Sequence, residues 1–235
     1  MRPKVTAIVL AAGKGSRMGT KTKKQYLELV GKPILYYSLK TFADSSLIDE
    51  IILVTAYEDV DYCHKEYQMT YKIPKLTKII AGGKERQDSV FQGLQACQDS
   101  DYVMIHDGAR PFVDLEMIQR IYDKVVECDA CIAAVHSKDT VKIVGEDGVV
   151  VDTPERKYVW NVQTPQAFSF SLIKKAHEGL KADGNIKVTD DAMAIELMTD
   201  QKVYVVEGSY SNIKITTPED LYIADRIIKQ LQIKM

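Results

Sequence analysis

Ten residues near the amino end, Leu10-Ala11-Ala12-Gly13-Lys14-Gly15-Ser16-Arg17-Met18-Gly19, are followed closely by Lys23-Lys24-Gln25-Tyr26. The stretch mixes small side chains with cations. Small residues let backbone N–H groups approach phosphate oxygens, and successive amides in such a loop make an anion-binding concavity. Gly13 and Gly15 are the candidate backbone contacts. With Arg17 and Lys24 beside them, the loop could hold a triphosphate and offset charge developing on a transferring phosphorus. Spacing excludes the two common phosphate loops. A dinucleotide GxGxxG would need glycine where Met18 stands and an acid about twenty residues on, and neither is present. The P-loop pattern GxxxxGK[ST] is also absent.

A second candidate is Asp107, which follows the apolar run Tyr102 to His106. That position puts its carboxylate at the edge of a sheet, where a hard oxygen donor suits Mg²⁺ shared with phosphate oxygens and water. No Ser/His/Asp or Cys/His arrangement for nucleophilic catalysis is apparent. Cys128 and Cys131 form a CxxC without a second pair, and read as core thiols.

The elements that must carry these residues follow from the apolar pattern. Short β-branched runs alternate with amphipathic stretches, which predicts an α/β fold: a Rossmann-like, mostly parallel sheet flanked by helices. Strands are expected near Val5 to Leu10, Glu50 to Ala56, Thr77 to Ala81, Tyr102 to His106, Ala130 to His136 and Lys202 to Glu207. Helices are expected near 33–43, with Pro33 at the first helical position, and near 58–69, 87–97, 114–128, 169–182, 190–198 and 218–231. The rhythm breaks after Ser137, where Thr140 to Val144, a turn at Glu146-Asp147-Gly148, and Val149 to Asp152 read as a hairpin. It forms a protruding arm over about 137–162 of a single domain spanning 1–235.

The chain has 235 residues, 46% hydrophobic and 27% charged, which argues against disorder or a disulfide scaffold. Four cysteines fit reduced thiols in the cytoplasm. No apolar run reaches the roughly 18 residues of a membrane span. The net charge of −2 divides into +8 on residues 1–43 and −10 on the rest. That excess points to an anionic partner. Nucleic acid fits poorly, since the cations surround a strand and a small-residue loop rather than a basic helix or an aromatic stacking sheet.

The loop and the Lys24-Gln25-Tyr26 block resemble the opening of the nucleotidyltransferases that activate sugar and polyol phosphates. Further blocks narrow the likeness: AGGKERQDSV at 81–90, HDGARPF at 106–112, DTVKIV at 139–144, TPERKYVWNVQTPQAF at 153–168, VTDDA at 188–192 and NIKITTPEDL at 212–221. Together they are similar, from end to end, to the 2-C-methyl-D-erythritol 4-phosphate cytidylyltransferases of the non-mevalonate isoprenoid pathway. The ribitol 5-phosphate cytidylyltransferases are a sibling family. Ser89, the Ala11-Ala12 pair and Thr189-Asp190-Asp191-Ala192 lean toward the erythritol enzymes, while Gly108 and Leu10 depart from an alanine and a frequent proline.

The resemblance implies CTP and methylerythritol phosphate as substrates, with Mg²⁺, and in-line attack of a phosphate on the α-phosphorus. A phosphate monoester has a second pKa of about 6, so the nucleophile needs no general base. The chemistry then demands charge neutralisation and positioning. By motif position, Arg17 and Lys24 would stabilise the reacting phosphorus and the leaving pyrophosphate. Arg156 and Lys214 would grip the attacking phosphate, with Thr140 donating to it, Asp107 holding the metal and contacting substrate, and Arg110 reaching substrate. Ala11 and Ala12 on one side, and Gly82, Gly83 and Ser89 on the other, would form the pyrimidine pocket. The arm is exchanged between subunits in this family, which implies a homodimer.

Overall fold

The computed structural model describes residues 2–13 and 23–233. The expected loop contacts Gly15 and Arg17 lie outside the described residues.

The strands are β1 (Val5–Ala11), β2 (Glu28–Leu29), β3 (Lys32–Pro33), β4 (Glu50–Thr55), β5 (Leu76–Ala81), β6 (Tyr102–Asp107), β7 (Ala130–His136), β8 (Ile143–Val144), β9 (Val150–Asp152), β10 (Trp160–Ser169) and β11 (Tyr204–Glu207). The helices are α1 (Ile34–Asp44), α2 (Val60–Cys63), α3 (Arg86–Ala96), α4 (Leu115–Cys128), α5 (Phe170–Asp183), α6 (Asp191–Met198) and α7 (Pro218–Ile233). Seven strands form one sheet in the order β11-β7-β10-β6-β1-β4-β5. All neighbours are parallel except β10, which runs antiparallel between β6 and β7.

Strand alternation builds a core on each face of this sheet. From β1, Val5, Ala7, Val9 and Ala11 join a cluster with Leu39 and Phe42 of α1 and Ile118 and Ile121 of α4. Ile8 points the other way, into a cluster with Leu94 of α3, Ile173 of α5 and Ile195 of α6. A third cluster seats α7 through Ala224 and Ile228 against Ile34, Phe112 and Ile215. No helix among the described residues is long and apolar enough to cross a membrane.

Three expectations change. Pro33 is not the first helical residue: its extended ψ of 143° makes it the N-cap of α1 and the second residue of β3. The helix expected at 58–69 is composite, a 3-10 turn at Tyr57–Asp59, the single turn of α2, and a π-helical stretch to Thr70. The arm is shorter than expected, because β10 begins at Trp160 and pairs it with His136. The hairpin β8–β9 is present within the arm, with its apolar side chains exposed.

Candidate active site

The cleft opens where β1 and β6 end at their carboxyl edges, the position at which open parallel sheets bind ligands. Its walls include Ala11, Ala12 and Gly13 on one side and Gly83, Glu85, Arg86 and Ser89 on the other, with Lys24, Asp107 and Lys214 among the charged lining residues.

The Ser89 wall is built by the start of α3. Glu85 and Asp88 cap that helix reciprocally, and Ser89 Oγ accepts from the Gly83 N–H at 3.1 Å. Gly82 lies behind the lining. A Cβ added there would stand 2.6 Å from Ser89 Oγ and 2.9 Å from the Ala12 side chain. A Cβ on Gly83 would stand 2.2 Å from that of Asp88. Glycine at 82 lets the two walls approach, and glycine at 83 lets the loop close on the start of α3.

Asp107 is the electrostatic centre. Its Oδ2 accepts from Lys214 Nζ at 2.7 Å and its Oδ1 from Arg86 Nε at 3.3 Å. Burial alone would raise its pKa, but the charges of Arg86 and Lys214 outweigh that and hold it well below the usual carboxylate value. Arg86 reaches on to Asp191 Oδ2 at 2.7 Å, so one guanidinium joins two buried carboxylates. Asp191 is likewise held low, burial being outweighed by Arg86 and by His177, whose Nε2 lies 3.5 Å from the other carboxylate oxygen.

His106 is fully buried behind Asp107. Its Nε2 lies 3.0 Å from the Arg110 carbonyl and its Nδ1 3.1 Å from Thr164 Oγ1. The Arg110 carbonyl can only accept, so the neutral ring carries its proton on Nε2 and Nδ1 accepts from the Thr164 hydroxyl, whose oxygen also accepts the Asp107 N–H at 3.0 Å. Burial pulls the His106 pKa down to about 4. This residue orients the strand end and is no base for the cleft.

The structure gathers Lys24, Lys214, Asp107, Ala11, Ala12, Gly13, Gly83 and Ser89 around one cleft. It does not bring Arg110, Thr140 or Arg156 of the same chain to the lining. Arg110 donates from Nη1 to the Asn212 carbonyl at 2.8 Å, tying the turn after β6 to the segment that carries Lys214. Thr140 and Arg156 are exposed on the arm, where Arg156 Nη1 meets the Lys138 carbonyl at 3.3 Å. Sequence reasoning missed Arg86 and Gln25. Gln25 is buried and donates from Nε2 to the carbonyls of Ala11 at 2.6 Å and Gly13 at 3.2 Å. Both sit inside quoted blocks, but their partners lie too far along the chain for spacing to reveal.

Asp107 also decides what metal the cleft suits. Among the described residues no three His, Cys, Asp or Glu side chains cluster as a metal cage. One buried carboxylate at the sheet edge fits Mg²⁺, which takes one or two carboxylates and completes its shell with phosphate oxygens and water.

A cleft of small residues, two lysines and a buried carboxylate at this sheet edge has the parts that an α/β nucleotidyltransferase needs to meet phosphate by charge and position. The pattern of the 2-C-methyl-D-erythritol 4-phosphate cytidylyltransferase family matches residues 5–230. The enzyme of that name from Lachnoclostridium phytofermentans is 47% identical over 229 residues, covering 97% of this chain and 98% of that one. A crystal structure of 4-diphosphocytidyl-2C-methyl-D-erythritol synthase from Anaerococcus prevotii superposes with a TM-score of 0.87 at 40% identity, covering 97% of this chain and 96% of that one. The Francisella tularensis 2-C-methyl-D-erythritol 4-phosphate cytidylyltransferase structure gives a TM-score of 0.79 at 32% identity, covering 95% and 99%. The chain belongs to the 2-C-methyl-D-erythritol 4-phosphate cytidylyltransferase family.

Proposed function

We propose that the protein transfers the cytidylyl group of CTP to 2-C-methyl-D-erythritol 4-phosphate, releasing pyrophosphate, as a step in isoprenoid biosynthesis. The observation that carries this reading is the convergence of the Ala11–Gly13 backbone, Gly83, Ser89, Lys24, Lys214 and Asp107 on one cleft.

In the reaction a phosphate oxygen of the alcohol phosphate attacks the α-phosphorus, and the bond from that phosphorus to the β-phosphate oxygen breaks. The attacking group is already mostly dianionic at neutral pH, since its second pKa is about 6. Lys24, with Arg17, offsets charge on the phosphorus and on the departing pyrophosphate. The pyrimidine lies between Ala11-Ala12 and the Gly82-Gly83-Ser89 wall, where main-chain groups and small side chains select the base. Asp107 would hold Mg²⁺, and that ion, when bound, neutralises phosphate oxygens. Lys214 stands where it can exchange Asp107 for substrate phosphate.

Thr140 and Arg156 lie outside the cleft of their own chain, and the arm exposes Ile143, Val144, Val149, Val150 and Val151. An arm of this kind belongs across a homodimer, delivering Thr140 and Arg156 to the partner's attacking phosphate. Arg110 then serves that substrate through the Asn212–Lys214 segment it tethers. We read the chain as one domain working in the cytoplasm, in keeping with its four free thiols.

A pyrophosphate-release assay with CTP and Mg²⁺ tests the substrate. Turnover is expected with methylerythritol 4-phosphate and much less with ribitol 5-phosphate, and the opposite preference would overturn the reading. Mixing inactive Lys24→Ala and Arg156→Ala subunits tests the arm. Exchange of arms leaves one intact cleft per mixed dimer, so activity should return; no recovery after subunit exchange refutes it.

A further inference from the structure

Lys24 begins a 3-10 turn of three residues, Lys24–Tyr26, whose N-cap has no side-chain hydrogen bond. So short a turn does not hold its own shape, because nucleation fixes several dihedrals for one hydrogen bond. Its geometry has to come from outside. Lys24 lines the cleft, while its three neighbours are fastened away from it. Lys23 Nζ lies 2.7 Å from both Glu58 Oε1 and Asp59 Oδ2. Gln25 clasps the carbonyls of Ala11 and Gly13. The Tyr26 hydroxyl meets Thr55 Oγ1 at 2.7 Å and Asp59 Oδ2 at 3.2 Å.

Asp59 Oδ2 therefore takes both Lys23 and Tyr26, the residues on either side of the Lys24-Gln25 pair. It sits on the 3-10 turn beyond β4 and does not line the cleft. Burial would lower the Lys23 pKa, but its bonds and attraction to Asp59 and Glu58 outweigh burial and raise it. Lys23 is thus a cation committed to the anchor.

We propose that Asp59, gripping Lys23 and Tyr26, and Gln25, gripping the end of β1, are positioning residues that fix the backbone of Lys24 so that its ammonium stands at the transferring phosphorus. A lysine is a point charge on a flexible four-carbon stem, so the position of its Cα sets where the ammonium can reach. A misplacement of about 1 Å from a remote change can cost on the order of a hundredfold in rate.

The inference rests on the role given to Lys24, and a kinetic cycle separates the two. Asp59→Ala, Lys24→Ala and the double variant are assayed with CTP and methylerythritol 4-phosphate, with thermal unfolding measured alongside. Asp59→Ala should lower kcat about ten- to a hundredfold while changing KM for CTP far less. In the Lys24→Ala background the same change should cost little, because what it positions is gone. Lys23→Arg should keep most activity, and Tyr26→Phe, which removes one hydroxyl and leaves the ring packed, should lose kcat in the same sense. An Asp59→Ala kcat within about threefold of the parent, or an equal loss with and without Lys24, overturns the inference by the independence criterion for uncoupled sites. Full activity of Lys24→Ala alone would overturn the assignment beneath it.

Discussion

Replacing His106 with glutamine should flatten the acid side of the stability curve. In the native protein the imidazole is fully buried, with the Arg110 carbonyl at one nitrogen and the Thr164 hydroxyl at the other. Burial penalises the charged ring by more than its polar contacts return, so it resists protonation until about pH 4, against an ordinary value of 6.5. In the unfolded chain it protonates near that ordinary value. The native state keeps its full advantage above pH 6.5 and loses it as the pH falls toward 4, at about 1.4 kcal/mol per pH unit. The total is about 3 kcal/mol. Asp49, Asp107, Asp191 and Asp220, all held below the ordinary 3.8, contribute stability that begins to be lost below about pH 5, but it is lost alike in parent and variant, so the difference between the two isolates the histidine. Urea unfolding followed by the fluorescence of Trp160, at a series of pH values from neutral to mildly acidic, measures the effect. The variant starts less stable, and its deficit should shrink steadily on acidification. A deficit constant with pH would refute the burial argument.

Three further outcomes are expected. Arg86→Lys cannot bridge Asp107 and Asp191 with one ammonium, and the loss of one charge-assisted hydrogen bond to a buried carboxylate should cost about 1.5–3 kcal/mol in chemical denaturation; a double-mutant cycle with Asp191→Asn should show coupling, and additivity would refute the shared guanidinium. Gly93→Ala puts a Cβ 2.6 Å from Ile8 Cγ2 and 3.3 Å from Val54 Cγ2, where α3 meets the sheet. It should lower stability by about 1–3 kcal/mol with KM unchanged, and a neutral urea midpoint would contradict that packing. Gly83→Val should disrupt the Glu85–Asp88 cap and raise KM for CTP severalfold, an effect that calorimetric titration of CTP reads directly; unaltered CTP affinity would show that this wall does not hold the nucleotide.

The parallel strands were legible because their apolar runs, such as Val5 to Leu10 and Ala130 to His136, are buried on both faces and need no polar alternation. β10 was not. It carries Gln163, Thr164, Pro165 and Gln166, a polar run with proline that argues against a central strand. The register shifts between Val162 and Gln166, which accommodates the proline. The polar side chains are busy: Thr164 serves Asp107 and His106, Gln166 accepts the N–H groups of Asp191 and Ala192, and Gln163 binds Ser209. Local pattern failed where the strand is built to position the site. The cleft itself was read mainly through its motif blocks. Arg86 and Asp191 are separated by 105 positions, and only the fold shows that they share a charge.

The chain leaves the sheet at His136 and returns at Trp160, and those two rings stack with centroids 3.6 Å apart. Whatever lies between them is an insertion whose ends already touch. Closing such an excursion becomes only slowly more unfavourable as it lengthens. The arm can therefore be lengthened, shortened or replaced without re-registering the strands. The seam itself has no such freedom, because sliding β10 along β7 would carry Thr164 away from the backbone of Asp107. The length of the arm and the alignment of the cleft are thus separately adjustable, divided at a single aromatic stack.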